Sequence, residues 1–301
     1  MTDAPLSTGR QVAAGLRSIR YGEVLLFQAS PLLGLAFAGG LRPENTGVIM
    51  LFVAANSCLF AHVFALNDWG NLEADLLDPS RADATFVCRA VSPGVMLGLA
   101  IALAVVALAM FAVLGLSCLV LGAFVVGLSV LYSHPDLDHK GRPLVSTLNH
   151  FAGGIVPFAL GYAAIRPVDL PSVAMGFYFA IVLMAGHLVQ ELRDFEGDRT
   201  AGVTTNVVRF GQRRMLLVSA GLFAASYAYL GWLGSARFTQ LSWTILLVLA
   251  AVHALAWGRT WASALQRGDL RRYQLAYRLT FGCIGAFMLH EFATRPPVFG
   301  L

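Results

Sequence analysis

Apolar residues in this chain gather into long runs of about twenty, the length that crosses the roughly 30 Å hydrocarbon layer of a bilayer. Such runs predict nine helices, over residues 22–40, 47–68, 93–113, 116–133, 145–165, 172–193, 214–233, 240–259 and 275–294. Polar residues collect between the runs, and several runs end in a cluster of acids and amides. The expected fold is therefore all-α, a polytopic membrane protein.

Composition agrees with the pattern. Of 301 residues, 57% are hydrophobic and 13% charged, against about 25% charged in soluble domains. The net charge of +4 comes from basic residues scattered through loops, with no aromatic-interleaved basic stripe, so nucleic acid is not an expected partner. Topology accounts for them better. With the N-terminus inside, 17 of the 21 basic residues fall on inner segments, and Arg42, Arg166, Arg237 and Arg295 fall outside, as the positive-inside bias requires. The C-terminus is then outside, and the bacterial cytoplasmic membrane is the expected location. The first twenty residues show no apolar core with a small-residue cleavage site, so no removable signal peptide is expected. Cys58, Cys88, Cys118 and Cys283 lack CxxC spacing and predict reduced thiols. No low-complexity linker divides the chain.

Two acid clusters carry the chemistry. "NDWGNLEAD" (67–75) closes the second run and "ELRDFEGD" (191–198) closes the sixth. On a helix, Asn67, Asp68, Asn71 and Asp75 share an arc of about 100°, and Glu191, Asp194 and Asp198 share about 60°. Both faces lie on the same, inner side of the predicted topology. Opposed acidic faces repel unless cations lie between them, and Mg²⁺ suits carboxylate, amide, water and phosphate oxygens. The implied ligand is a diphosphate.

At these residues the chain resembles the UbiA superfamily of intramembrane prenyltransferases, a nine-helix bundle around a central cavity. Asn67, Asp68 and Asp75 match the first motif, N-D-x-x-D-x-x-x-D, with Asn71 in place of its central acid. Glu191, Asp194 and Asp198 match the second, D-x-x-x-D with an acid three residues earlier. "YSHPDLDHKGR" resembles the family's inner loop, with Tyr132 and Lys140 in the matching places. After the first motif the chain keeps Pro79 and Arg81 but lacks the usual Arg-Pro-hydrophobic continuation.

The resemblance implies a single domain over 1–301 that transfers a prenyl group from an isoprenyl diphosphate to a lipophilic or aromatic acceptor. Two Mg²⁺ ions would bridge the diphosphate, held by Asp68, Asn71, Asp75, Glu191, Asp194 and Asp198, with Asn67 assisting. Lys140, Arg81 and Arg199 would neutralise the leaving group, and Tyr132 would donate to phosphate or face the cation. Phe60, Ala61 and Phe64, three to eight positions before Asp68, suit an isoprenoid wall, although each Phe equally suits ordinary packing. His187, one turn before Glu191, would orient an acceptor or relay its proton, or simply bond a neighbouring helix. Glu23 is expected to pair with Arg20. A terpene cyclase of the same superfamily remains an alternative, because the cation can be captured by the substrate's own double bonds. A CDP-alcohol phosphotransferase would need D-G-x-x-A-R, which "DFEGDR" lacks, and an ion-coupled carrier would place its acids near the midplane.

Overall fold

The computed structural model describes residues 6–78, 81–137 and 139–294; Pro79 and Arg295 lie outside them. Helices account for every regular element described: α1 (Thr8–Ser18), α2 (Tyr21–Phe27), α3 (Ala29–Phe37), α4 (Thr46–Gly70), α5 (Leu72–Leu77), α6 (Pro93–Leu114), α7 (Leu116–Ser133), α8 (Val145–Ala163), α9 (Leu170–Thr200), α10 (Asn206–Phe210), α11 (Gln212–Ser235), α12 (Trp243–Trp261) and α13 (Arg267–Thr294), with short 3-10 turns.

Among the described residues, six helices are long and apolar enough to cross a membrane: 43–70, α6, α7, α9, α11 and α12. The other three predicted spans form helices but miss that measure, each for a local reason. Run 22–40 divides at Gln28 into α2 and α3. Helix α8 opens on Ser146, Asn149 and His150, and the apolar part of α13 is interrupted by Arg278, His290 and Glu291. Large apolar side chains such as Val105, Val113 and Val120 on α6 and α7, and Leu247 and Leu255 on α12, point outward, as a lipid solvent allows. The four cysteines are free thiols, as expected.

Inside, α3 packs against α8 at backbone distance. A Cβ on Gly34 would stand 2.0 Å from the Phe158 carbonyl oxygen, and one on Gly161 would stand 1.8 Å from that of Pro31. Only a hydrogen fits there, the small-residue approach typical of helices in lipid. A buried layer of Phe37, Phe158, Tyr162, Met175 and Tyr178 fills the adjoining space.

The 31-residue α9 runs the length of the bundle. At its start, Asp169 accepts from Ser172 N at 2.9 Å while Ser172 Oγ accepts from Asp169 N at 3.0 Å, a reciprocal cap that satisfies otherwise orphaned donors. Tyr162 Oη donates to Asp169 at 2.7 Å, tying α8 to the cap. Burial alone would raise the Asp169 pKa, but the Tyr162 and Ser172 bonds outweigh it and hold it below the ordinary carboxylate value.

Candidate active site

The first acid cluster begins where α4 ends. Gly70 lies against α7 so closely that a Cβ would come 1.9 Å from the Ser133 carbonyl oxygen. Asn71 then leaves the helical region (φ −95, ψ 7), and its Nδ2 donates to the Asn67 carbonyl at 2.8 Å. This cap starts α5, which carries Asp75. From the second cluster, Asp194 and Asp198 stand one helical turn apart on unbroken α9.

Cations join the two clusters. Lys140 Nζ donates to Asn71 Oδ1 at 3.0 Å and stands 3.4 Å from Asp198 Oδ1. Arg81 reaches Asp75 at 3.0 Å and Asp194 at 2.6 Å. Burial alone would lower the Arg81 pKa; the Asp194 and Asp75 carboxylates outweigh it and hold the guanidinium above its ordinary range. Asp194 also accepts two parallel bonds from Arg193, each 2.9 Å, and faces Arg267 at 3.8 Å. Arg20 donates to Asn67 at 3.1 Å and Asp68 at 2.5 Å, with its guanidinium 5.1 Å from the centre of the Phe64 ring. Such a shell lets two acidic faces approach without ligand.

The straps border a cavity of about 230 Å³, with Asn67, Asn71, Arg81, Tyr132 and Lys140 on one side and His187, Glu191, Asp194 and Asp198 on another. Phe64 lies at its inner wall, with Phe27 5.3 Å from Phe60 and 5.4 Å from Phe64 between ring centres. Phe27, Phe60, Leu183, Gln190 and Arg278 also face a second, largely apolar cavity of about 380 Å³ between α3, α8, α9 and α13. A polar chamber thus continues into an apolar one.

Several sequence expectations change. Asp68 and Asp75 are held beside the chamber by Arg20 and Arg81 and do not line it. Arg199 points away: it is exposed and pairs with Glu196 at 3.0 Å, because one residue past Asp198 turns the helix by about 100°. Glu23 pairs with Arg278, through two 3.1 Å bonds, and not with Arg20. Glu191, expected among the metal ligands, is 5% exposed and already engaged. Its Oε1 accepts from Asn206 Nδ2 at 2.9 Å and Ser146 Oγ at 3.3 Å, and its Oε2 from Val207 N at 3.2 Å. His187 Nε2 lies 2.9 Å from the same carboxylate, off the direction of a hydrogen bond, so that nitrogen lacks a bonded partner. Glu191 is the clip that joins α8, α9 and α10.

Sequence reasoning missed Arg20, Arg193, Arg267 and Asn206 as parts of this network. Arg193 was legible as the neighbour of an acid, since its long side chain curls back; the others arrive from distant segments and left no local signal.

The oxygen-only donor set of Asp68, Asn71, Asp75, Asp194 and Asp198 fits Mg²⁺. Among the described residues no three acidic, His or Cys side chains converge into a ready cage. Mg²⁺ needs none, since it commonly takes one or two carboxylates and completes its octahedron from water and substrate phosphate.

A sequence model of the UbiA prenyltransferase family matches residues 26–282. Digeranylgeranylglyceryl phosphate synthase of Halobacterium salinarum is 31% identical over 219 residues, 71% of this chain and 74% of that protein. The chloroplastic 2-acyl-4-prenylphloroglucinol 6-prenyltransferase of Humulus lupulus is 29% identical over a shorter 121 residues, 37% of this chain and 29% of that protein. The solved structure of a UbiA homologue from Archaeoglobus fulgidus bound to DMAPP and Mg²⁺ has the same fold, with a TM-score of 0.71 at 15% identity, covering 95% of this chain and 100% of that one. The same homologue bound to GPP and Mg²⁺ gives 0.68 at 16%, covering 94% and 98%.

Proposed function

The chain belongs to the UbiA prenyltransferase family, and from that premise we propose that it ionises an allylic isoprenyl diphosphate in the polar chamber and transfers the prenyl group to a lipophilic or aromatic acceptor. In this reading residues 1–301 form one unit of nine membrane helices, with the polar chamber on the cytoplasmic side of a bacterial inner membrane.

The observation that carries the reading is the continuity of the two chambers. A diphosphate needs the charged one, and an isoprenoid tail needs the apolar one. Asp68, Asp75, Asp194 and Asp198, with Asn71, would hold Mg²⁺, which supplies a Lewis acid for the charge that grows on the leaving group. Arg81 and Lys140 would grip phosphate oxygens once a metal takes their carboxylates. Phe60 and Phe64, which line the polar chamber, would screen an allylic cation from the water that would quench it.

Product analysis by mass spectrometry tests this. Purified protein with Mg²⁺ and allylic diphosphates of several lengths, given a lipid and aromatic extract, should release diphosphate and form extract-dependent adducts. Cyclic hydrocarbons or alcohols without extract would make it a cyclase; uptake into vesicles without diphosphate release would sink the enzyme reading.

A further inference from the structure

Transfer to an O–H acceptor leaves a proton to be disposed of, and the chamber's acids are poorly placed to take it. Glu23 holds Arg278 through two bonds, Asp194 holds Arg81 and Arg193, and Asp198 faces Lys140. The oxygens of Glu191 are filled by Asn206, Ser146 and Val207.

His150 is placed differently. It lies on α8 and lines the polar chamber, and Gly153 and Pro157, three and seven positions on, face both chambers. On a helix these positions share a face, which puts the imidazole where charged and apolar spaces meet. Its Nδ1 is 2.8 Å from the Ser146 carbonyl oxygen. A carbonyl can only accept, so in the neutral ring Nδ1 carries the hydrogen and Nε2 carries the lone pair. The ring stacks on His187 with centres 3.6 Å apart and planes 12° from parallel, and Tyr132 meets it edge-on at 5.2 Å. Behind His187 lies Glu191, whose contacts among the described residues are this ring and neutral donors, with no Arg or Lys. A buried carboxylate so placed can balance the charge that an imidazole gains when it takes a proton.

We propose that His150 Nε2 is the base that takes the O–H proton of an alcoholic or phenolic acceptor, with His187 and Glu191 holding the ring and balancing the charge it gains. The inference rests on the prenyl-transfer reading above. As the allylic C–O bond breaks, its electron pair leaves on the diphosphate oxygen. A lone pair of the acceptor oxygen forms the new C–O bond, the O–H pair stays on that oxygen, and the proton moves to Nε2. Solvent takes the proton after release. A base oriented by a second group and a buried carboxylate is a recurrent way to activate a hydroxyl.

The test uses full-length protein, Mg²⁺ and geranyl diphosphate, with an alkylphenol or a monoalkylglycerol as the acceptor probe. Prenylated acceptor is measured against prenyl alcohol, the product of water capture. In H150Q and H150F the ratio of the first to the second should fall on the order of 10²-fold, the usual worth of a general base. The groups facing His150 are Tyr132 from α7 and His187 from α9, with Glu191 behind it; α3 carries no titratable residue. A Y132F control that keeps the wild-type ratio assigns the fall to the imidazole and not to the phenol. An unchanged ratio in H150Q overturns the proposal, and so does loss of diphosphate release together with transfer in a folded H150Q, which would place His150 in ionisation. Diphosphate release by wild-type protein with transfer to neither probe overturns the hydroxyl acceptor. Absence of any release by wild type removes the prenyl-transfer reading instead.

Discussion

The two acid clusters look alike in sequence and are built differently. The first straddles a helix break: α4 stops at Gly70, Asn71 caps it, and Asp75 belongs to a separate short helix. Its Asp68 answers to Arg20, whose side chain is 45% exposed. The second lies inside one unbroken helix, where Asp194 gathers Arg81, Arg193 and Arg267 and Glu191 is buried against α8 and α10. One cluster sits across a break between two helices; the other is anchored in a continuous one.

The sharpest way to break this contrast is Asp194→Ala against Asp68→Ala. Both should reduce diphosphate release, Asp194→Ala on the order of 10³-fold. Stability should separate them: Asp194→Ala strands several guanidiniums and costs about 3 kcal/mol, whereas the partly exposed Arg20–Asp68 pair is worth about 1 kcal/mol or less. Denaturation in one detergent reads the difference, and equal losses would erase the distinction.

Glu191 probes the anchor itself. Glu191→Ala leaves the buried Val207 N–H unpaired, a cost of about 1–3 kcal/mol, while Asn206 keeps Ser146 and Thr147 as acceptors. Glu191→Gln keeps an acceptor and should retain most of that stability. Its residual turnover should show the wild-type Mg²⁺ dependence; a shifted dependence would return this carboxylate to the metal ligands.

Asn71 probes the cluster at the helix break. Asn71→Asp turns the Lys140 hydrogen bond into an ion pair and adds a charged oxygen donor. Activity should persist, with the Mg²⁺ concentration for half-maximal rate moving less than about tenfold, equivalent to about 1.4 kcal/mol. Complete loss would mean that the amide itself is required.

The smallest effect belongs to the far end of α9. Asp169→Asn keeps a capping oxygen but loses the charge that Tyr162 and Ser172 bond to, so stability should fall by less than the ~1 kcal/mol of a whole cap, with turnover unchanged. Because the folded-state pKa of Asp169 is depressed, its contribution is fully present above the unfolded carboxylate's value and lost as pH falls toward the folded one. The wild-type melting temperature should therefore carry an acid-side decline that Asp169→Asn reduces.

The helical class and the membrane-length runs were legible because a run of apolar residues is a local property. So were the carboxylates of the two clusters, whose spacing put them on common faces. What escaped was everything set by partners remote in sequence. Glu191 has the same spacing to Asp194 as a ligand would have, but Asn206 and Ser146 claim it from other helices. Glu23 has Arg20 three residues away and takes Arg278 from 255 residues away. Arg199 follows a site acid and still faces out, since helical rotation outweighs adjacency. The break at Asn71 was hidden by the regular spacing on both sides of it.

The shell of arginines around the carboxylates also sets how two ligands would know of each other. On the proposed chemistry, every carboxylate that a divalent ion captures from Arg81 or Lys140 releases a cation that a phosphate can then use. Binding of either ligand thus lowers the cost of binding the other, and by linkage the two gains in affinity are equal. Metal titrated without diphosphate should bind weakly, and the pair together as a cooperative unit, which makes the resting ion pairs a guard against holding bare metal in the absence of substrate.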